Sequence, residues 1–265
     1  MDFFIRKQYN HFTIRTALKG DFMNKTALIT GASRGIGAAL AHTFAKSGYN
    51  LVLCCHNSQK ELMMLADQLQ HQYHIQVLTF TGDVADYHFI EHMVSQALTY
   101  FHKIDVLVNN AGISYIGLLT DMTIDDWNHI VATNLTSVFS TCRCIIPSMV
   151  ATKSGRIINI SSVWGSTGAS CEVAYSACKG GLNAFTKALG KELAPSNIQV
   201  NAIACGVIDT DMNHCFSEKE LLSLIEEIPA GRMGHPTEVA ELALSLAEGT
   251  TYLNGQILTL DGGWI

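Results

Sequence analysis

Proline is scarce, at four residues in 265. No Pro-rich stretch marks a linker, and no internal repeat or low-complexity tract divides the chain, so one domain is expected. Charge is low as well. Only 15% of residues are charged, and the net charge of -6 leaves no basic surplus. That excludes a nucleic-acid binder, which needs a basic face. No uninterrupted apolar run approaches the ~20 residues that span a bilayer, so no membrane attachment is expected. The eight cysteines include the neighbours Cys54 and Cys55 and the pair Cys142 and Cys144, but no C-x-x-C. Zinc ribbons and small disulfide scaffolds are therefore not indicated. The thiols read as free in a reducing cytosol, and a cytoplasmic location is expected.

Apolar residues are plentiful, at 48% of the chain, a composition suited to a parallel sheet covered on both faces. From Lys25 onward, short apolar runs alternate with longer amphipathic stretches. Strands are predicted at Thr26–Thr30, Leu51–Cys55, Gln76–Phe80, Val106–Asn109, Arg156–Ile160, Gln199–Ile203 and Gln256–Leu260. Helices are predicted over Ala38–Ser47, Glu61–Gln70, Phe89–Tyr100, Asp125–Val150 and Val173–Leu193. This alternation gives βαβ units. Right-handed crossovers then wind them into an α/β, Rossmann-type, doubly wound parallel sheet of about seven strands with helices on both faces. Residues 1–22 carry Arg6, Lys7, Arg15 and Lys19 but lack the apolar core and small-residue cleavage site of a secretory signal. They read as an N-terminal extension, disordered or not native, ahead of a domain over 23–265.

The turn Thr30-Gly31-Ala32-Ser33-Arg34-Gly35-Ile36-Gly37 follows the first strand and opens the first helix. In that setting it suits a phosphate: Gly31 permits the tight turn, Gly35 and Gly37 allow close backbone approach, and the helix N-terminus meets the negative charge. A site for NAD places an acid at the end of the second strand, to bind the ribose 2′-hydroxyl. Here that strand runs into Cys54-Cys55-His56-Asn57-Ser58, with no acid. Farther on, Tyr175 and Lys179 stand four residues apart, on one face of a helix. A nearby ammonium favours phenolate, so Lys179 is expected to bring the phenol down from its ordinary pKa of ~10. Ser162 ends the fifth strand, thirteen residues before Tyr175. His88-Phe89-Ile90-Glu91-His92 matches H-x-x-E-H, a zinc-peptidase pattern. Inside a nucleotide-binding frame it reads as chance, and no metal site is expected.

The G-x-x-x-G-x-G spacing, Asn109-Asn110-Ala111-Gly112, Gly82-Asp83-Val84 and the Y-x-x-x-K of Tyr175–Lys179 together resemble the short-chain dehydrogenase/reductase family. The resemblance covers residues 24–263. It implies an enzyme moving a hydride between a nicotinamide cofactor and a carbonyl or alcohol. It also implies the roles. Tyr175 is the proton donor, Lys179 lowers its pKa and binds the nicotinamide ribose, Ser162 hydrogen-bonds the carbonyl oxygen, and Asn134 holds a relay water. Cofactor contacts are implied at Gly31, Ser33, Arg34, Gly35, Ile36, Gly37, Asn57, Asp83, Val84, Asn110, Ala111, Gly112, Tyr175, Lys179, Val207 and Thr210. Asp83 would accept from the adenine amine; a helix N-cap is its other reading, and the two are compatible. Arg34 sits where NADP-preferring members carry a basic residue, so NADPH is expected over NADH. Ser161 is the neighbouring candidate for the serine role, but strand alternation points it to the other face.

The chain is similar in particular to the bacterial 3-oxoacyl-acyl-carrier-protein reductases, through Asn254-Gly255-Gln256 and Asp261-Gly262-Gly263. That implies a homotetramer and an acyl carrier protein as partner. Three features depart from the pattern. Cys205-Gly206 replaces the usual Pro-Gly, which is expected to loosen the loop beside the nicotinamide. Lys153 and Ser196 leave the carrier-docking patch short of one positive charge. The segment Ser162–Val173 resembles instead a sister group that reduces a 5-aminopentanone modification on elongation factor P. Substrate contacts are therefore expected at Ser162, Trp164, Glu172 and Tyr175, with Glu172 free to pair with an amine, and a lid is expected near 207–235. A binding protein that senses NADP without turnover is the reading from another class; the retained Tyr175, Lys179, Ser162 and Asn134 favour an enzyme.

Overall fold

The structure is a computed structural model and describes residues 24–213 and 217–265; the expected extension over 1–22 lies outside the described residues. Seven strands form one parallel sheet: β1 Thr26–Ile29, β2 Asn50–Cys55, β3 Val77–Thr81, β4 Val106–Asn109, β5 Gly155–Ser162, β6 Ile198–Cys205 and β7 Ile257–Leu260. Their order is β3-β2-β1-β4-β5-β6-β7. The chain winds outward from β1 in one direction and then, after β3, returns to β4 and winds in the other. The C-terminal ends of β1 and β4 therefore flank the switch point, where a crevice opens above the sheet.

Each strand feeds two cores, because successive side chains point to opposite faces. Ala27, Ile29, Leu51 and Leu53 pack under α1 Gly35–Lys46, α2 Gln59–Tyr73 and α9 Pro236–Glu248, through Leu40, Phe44, Leu62 and Val239. Leu28, Val52 and Leu107 face α3 Tyr87–Phe101, α5 Ser137–Thr152 and α7 Val173–Leu193, through Ile90, Met93, Ile145, Met149 and Leu182. Each of these buried Leu, Ile, Val, Met and Phe side chains contributes about 2 kcal/mol of transfer free energy. Those two layers pin the strand ends that carry the crevice.

The helix predicted over Asp125–Val150 is a composite. Helix α4, Ile124–Val131, starts at a capping box in which Thr123 Oγ1 accepts from Asp126 N at 3.1 Å and Asp126 Oδ2 accepts from Thr123 N at 3.2 Å. A π-helical turn, Ala132–Thr136, then inserts before α5. Taken together, Ile124–Thr152 is long and apolar enough to cross a membrane by length and composition alone. A search for uninterrupted apolar runs misses it, because polar residues are scattered along it. Here its Val138, Cys142, Ile145 and Met149 are buried against the sheet.

Two short elements complete the crevice. Helix α6, Trp164–Thr167, follows β5, and α8, Glu218–Glu227, lies within the expected lid, opened by a capping box of Ser217 and Glu220. Lys153 and Ser196 fall at the other end of the sheet, just before the starts of β5 and β6, where Asn197 Nδ2 donates to Lys153 O at 3.0 Å. Helix α5 runs antiparallel to the strands, so a patch at its C-terminus stands on the edge opposite the crevice. The expected docking patch therefore does not border the mouth of this subunit's own cavity.

Candidate active site

A cavity of about 840 Å³ opens at the switch point. Its base at one end is the glycine turn. Asn110 fastens that turn to β4: its Nδ2 donates to Thr30 O at 2.9 Å and to Gly31 O at 3.0 Å. Thr30 Oγ1 accepts in return from the Asn110 and Ala111 amides, both at 3.0 Å. Gly31 has φ +65°, and a Cβ there would stand 2.9 Å from Ala111 Cα. At Gly37 a Cβ would come within 2.0 Å of Gly31 O. The backbone is thus packed as tightly as the chain allows, and the first turn of α1, with no acidic residue in it, faces the cavity. This cradle fits a dinucleotide pyrophosphate. Ser33, Arg34, Gly35, Ile36, Asn57, Asp83, Val84, Gly112, Val207 and Thr210 line the same cavity.

Asp83 does not cap a helix. The cap of α3 is Asp86, whose side chain accepts from His88 N, while Asp83 Oδ1 accepts from Ala85 N at 2.9 Å. The α3 histidines of the H-x-x-E-H run are engaged locally: His88 lies 3.9 Å from Glu91, and the His92 ring packs edge-on to Phe80.

At the other end of the cavity stand Ser162, Trp164, Glu172, Tyr175 and Lys179. Helix α7 carries Tyr175 and Lys179 one turn apart, with the Lys179 Nζ 5.5 Å from the Tyr175 ring centroid. The phenol is hydrogen-bonded to Ser162, and Ser162 Oγ also accepts from Trp164 N at 3.2 Å. Ser161 points away, donating to Asn183 Oδ1 at 2.7 Å. Lys179 is 4% exposed and donates to Ile160 O at 2.8 Å. Burial pulls the ammonium down from 10.5 to about 8.

The expected lowering of the tyrosine pKa is not what this geometry gives. Burial pushes the Tyr175 phenol above its ordinary value, the Cys205 thiol adds to the rise, and the Ser162 hydrogen bond opposes it without reversing it. The Lys179 ammonium donates to the Ile160 carbonyl, and only the Ser162 hydrogen bond opposes the effect of burial on the phenol. Tyr175 is therefore held protonated at neutral pH.

Asn134 does not line the cavity. It is 1% exposed, sits in the π-helical turn, and clamps the backbone of Ile113: Nδ2 donates to Ile113 O at 2.7 Å and Oδ1 accepts from Ile113 N at 2.8 Å. It backs the wall behind Gly112, where a Cβ would stand 3.1 Å from Asn134 Oδ1 and 3.7 Å from Lys179 Nζ. One donor and one acceptor site of the side-chain amide are committed to Ile113, which aims the amide at that backbone rather than into the cavity. The loop after β6, expected to be loosened by Cys205, is tied by backbone bonds from Gly206 N to Leu260 O, Asp209 N to Gly234 O and Gly234 N to Val207 O, each 2.9 Å.

Several lining groups were not anticipated. Ser114 Oγ donates to Glu172 Oε2 at 2.9 Å and so orients that carboxylate within the cavity. Trp264 meets Trp164 edge-on, with ring centroids 4.9 Å apart, and both line the cavity. Asp261 folds this last segment into place by accepting from Gly263 N and Ile265 N, both at 2.9 Å. Neither contact follows from a local pattern, since the partners lie 58 residues and 100 residues apart.

The chain matches the short chain dehydrogenase family over residues 25–221. It is 41% identical over 243 residues to an uncharacterized oxidoreductase of Bacillus subtilis (strain 168), covering 91% of this chain and 99% of the relative. It is 40% identical over 247 residues to a 3-oxoacyl-[acyl-carrier-protein] reductase of Chlamydia trachomatis, covering 93% and 99%. Identity to the 3-oxoacyl-[acyl-carrier-protein] reductase of Escherichia coli (strain K12) is 37% over 244 residues, covering 92% and 98%.

Proposed function

The chain belongs to the short-chain dehydrogenase family and is an oxidoreductase acting on keto and CH-OH groups; we propose that it reduces a ketone to a secondary alcohol with NADPH as hydride source. The observation that carries this reading is the Tyr175 phenol beside Ser162 and one helical turn from Lys179, at one end of a cavity whose other end is the glycine cradle. A nicotinamide dinucleotide bound there would supply the hydride. Gly31 to Gly37, with Asn110 to Gly112, would hold its pyrophosphate, and Lys179 its nicotinamide ribose. Ser162 would donate to the substrate oxygen and stabilise negative charge as it develops. Tyr175 would deliver its proton to that oxygen. A phenol that stays protonated suits the reducing direction. The Asn134 side chain would keep Ile113 and Gly112 in register beneath the site, leaving any relay water to a main-chain carbonyl of the π-helical turn.

The first substrate reading is a 3-oxoacyl group on an acyl carrier protein, supported by the names of the relatives. A second, a 5-aminopentanone on elongation factor P, is favoured by Glu172. Its carboxylate is held by Ser114 in a cavity that two indoles also line, and no cation pairs with it among the described residues. An ammonium would find there a counter-charge and aromatic faces. We also read the protein as a cytoplasmic homotetramer. The four-residue edge strand β7 with half-buried Ile257, Leu258 and Leu260, and Phe139 at 48% exposure on α5, support a buried face between copies.

The test is NADPH oxidation with an acetoacetyl thioester and with modified elongation factor P in parallel. Turnover that disappears in Tyr175→Phe supports the reductase. No oxidation with either, alongside tight NADP+ binding, would favour a cofactor-sensing protein. Glu172→Gln should weaken the amine-bearing substrate far more than the thioester; equal losses would remove the amine reading.

A further inference from the structure

Arg34, the residue that the NADPH reading assigns to the cofactor's 2′-phosphate, already has an anionic neighbour on this chain. Its Nε lies 3.6 Å from Asp211 Oδ2. Asp211 opens the 3-10 turn Asp211–Asn213 at the root of the expected lid, and both residues line the cavity. The contact is not incidental to a remote surface. Thr210, next to Asp211, packs directly on the glycine turn, where a Gly35 Cβ would come within 3.2 Å of Thr210 Cγ2. The segment after β6 therefore closes over the turn that bears Arg34. The other acids of the cavity are occupied elsewhere, Asp83 with Ala85 N and Glu172 with Ser114.

We propose that Asp211 is a determinant of cofactor selectivity, competing with the 2′-phosphate of NADP(H) for the guanidinium of Arg34. This rests on the NADPH reading. A phosphate monoester brings close to two negative charges and prefers the planar guanidinium fork. Its arrival sets a phosphate and a carboxylate on one cation. The phosphate must displace the carboxylate or share the guanidinium with it, so each NADP(H) molecule binds at the cost of the Arg34–Asp211 contact. NAD(H), which ends in a neutral 2′-hydroxyl, meets no such opposition at that position. Both partners are well exposed, the side chains at 71% and 55%. Water and salt therefore screen the effect, which limits it to about three- to fivefold in affinity.

The experiment measures dissociation constants of NADP+ and NAD+ by calorimetry for the wild type, Asp211→Asn, Arg34→Ala and the double variant, at low and high salt. Asp211→Asn should tighten NADP+ about three- to fivefold and NAD+ less. The selective gain should vanish when Arg34 is already Ala, and should shrink at high salt. A gain shared equally by both cofactors, no gain, a loss for NADP+, or a gain that survives in the Arg34→Ala background would each overturn the proposal. If the wild type itself binds NAD+ more tightly than NADP+, the NADPH reading fails first. A wild type that prefers NADP+ with an inert Asp211→Asn confines the failure to this inference.

Discussion

Replacing Lys179 by Met should leave a protein that is inactive and more stable. Lys179 is almost fully enclosed, and its ammonium is held at about 8 against an ordinary 10.5. That gap corresponds to about 3 kcal/mol of burial cost carried by the native state at neutral pH. The substitution removes this cost and also the hydrogen bond to Ile160 O, worth about 1 kcal/mol. Met is unbranched and fills a similar space, so packing is largely kept. The net gain is about 2 kcal/mol, which for a chain of this length raises Tm by about 5 °C. The pH dependence gives the sign. Between about 8 and 10.5 the unfolded lysine binds more protons than the folded one, so wild-type stability rises with pH across that window. The advantage of the Met variant is therefore full below about 8 and closes by about 10.5. Thermal melts at pH 7 and pH 10, with NADPH oxidation on the same samples, read both halves. A fall in Tm at pH 7, or a gap that does not change with pH, would refute the argument that Lys179 is kept for chemistry at a cost to the fold.

Other outcomes follow from the same geometry. kcat/KM for NADPH, which reports the free enzyme, should fall about tenfold per pH unit above about 8 as Lys179 loses its proton; a flat profile to pH 9.5 would argue against a cationic Lys179 in the reaction. Gly37→Ala should abolish dinucleotide binding and cost several kcal/mol of stability, since its Cβ would fall 2.0 Å from Gly31 O; calorimetry and a melt check both. Asn134→Ala removes the partner of two part-buried backbone groups of Ile113 and should cost about 1–2 kcal/mol, lowering kcat more than it raises KM for NADPH. Truncating Trp264 to Ala should alter KM for the ketone while leaving NADP+ affinity within about twofold, because its contact is with Trp164 at the substrate end.

Much of the fold is legible in the sequence, for a reason tied to period. Strand β4 at Val106–Asn109 and helix α7 at Val173–Leu193 have their predicted bounds, because buried parallel strands are continuous apolar runs and long helices repeat their apolar face. β5 reaches Ser162, the residue expected at its end, while β6 runs past Ile203 to Cys205; the two ends are still paired with each other, and composition does not report pairing. The glycine turn was readable because only glycine tolerates the close approaches at Gly31 and Gly37. The cap of α3 falls on Asp86 rather than Asp83, since both stand just before the helix and sequence alone does not say which accepts from the first turn. The role given to Asn134 changed because a π-helical turn has no sequence signature and turns the side chain onto Ile113. The pKa of Tyr175 was misjudged because spacing reveals the neighbour Lys179 but not the burial that outweighs it. Trp264, Ser114 and Asp211 act through contacts across the fold, which no local pattern encodes.

The most direct measurement is NADPH oxidation by the wild type and by Tyr175→Phe, with a 3-oxoacyl thioester and the amine-bearing ketone protein each offered in turn. The account predicts turnover of at least one ketone by the wild type, its loss in Tyr175→Phe by a factor of at least about 10², and unchanged NADP+ binding in that variant. Turnover that survives the loss of the phenol, or no turnover of any ketone by a protein that binds NADP+, would contradict it.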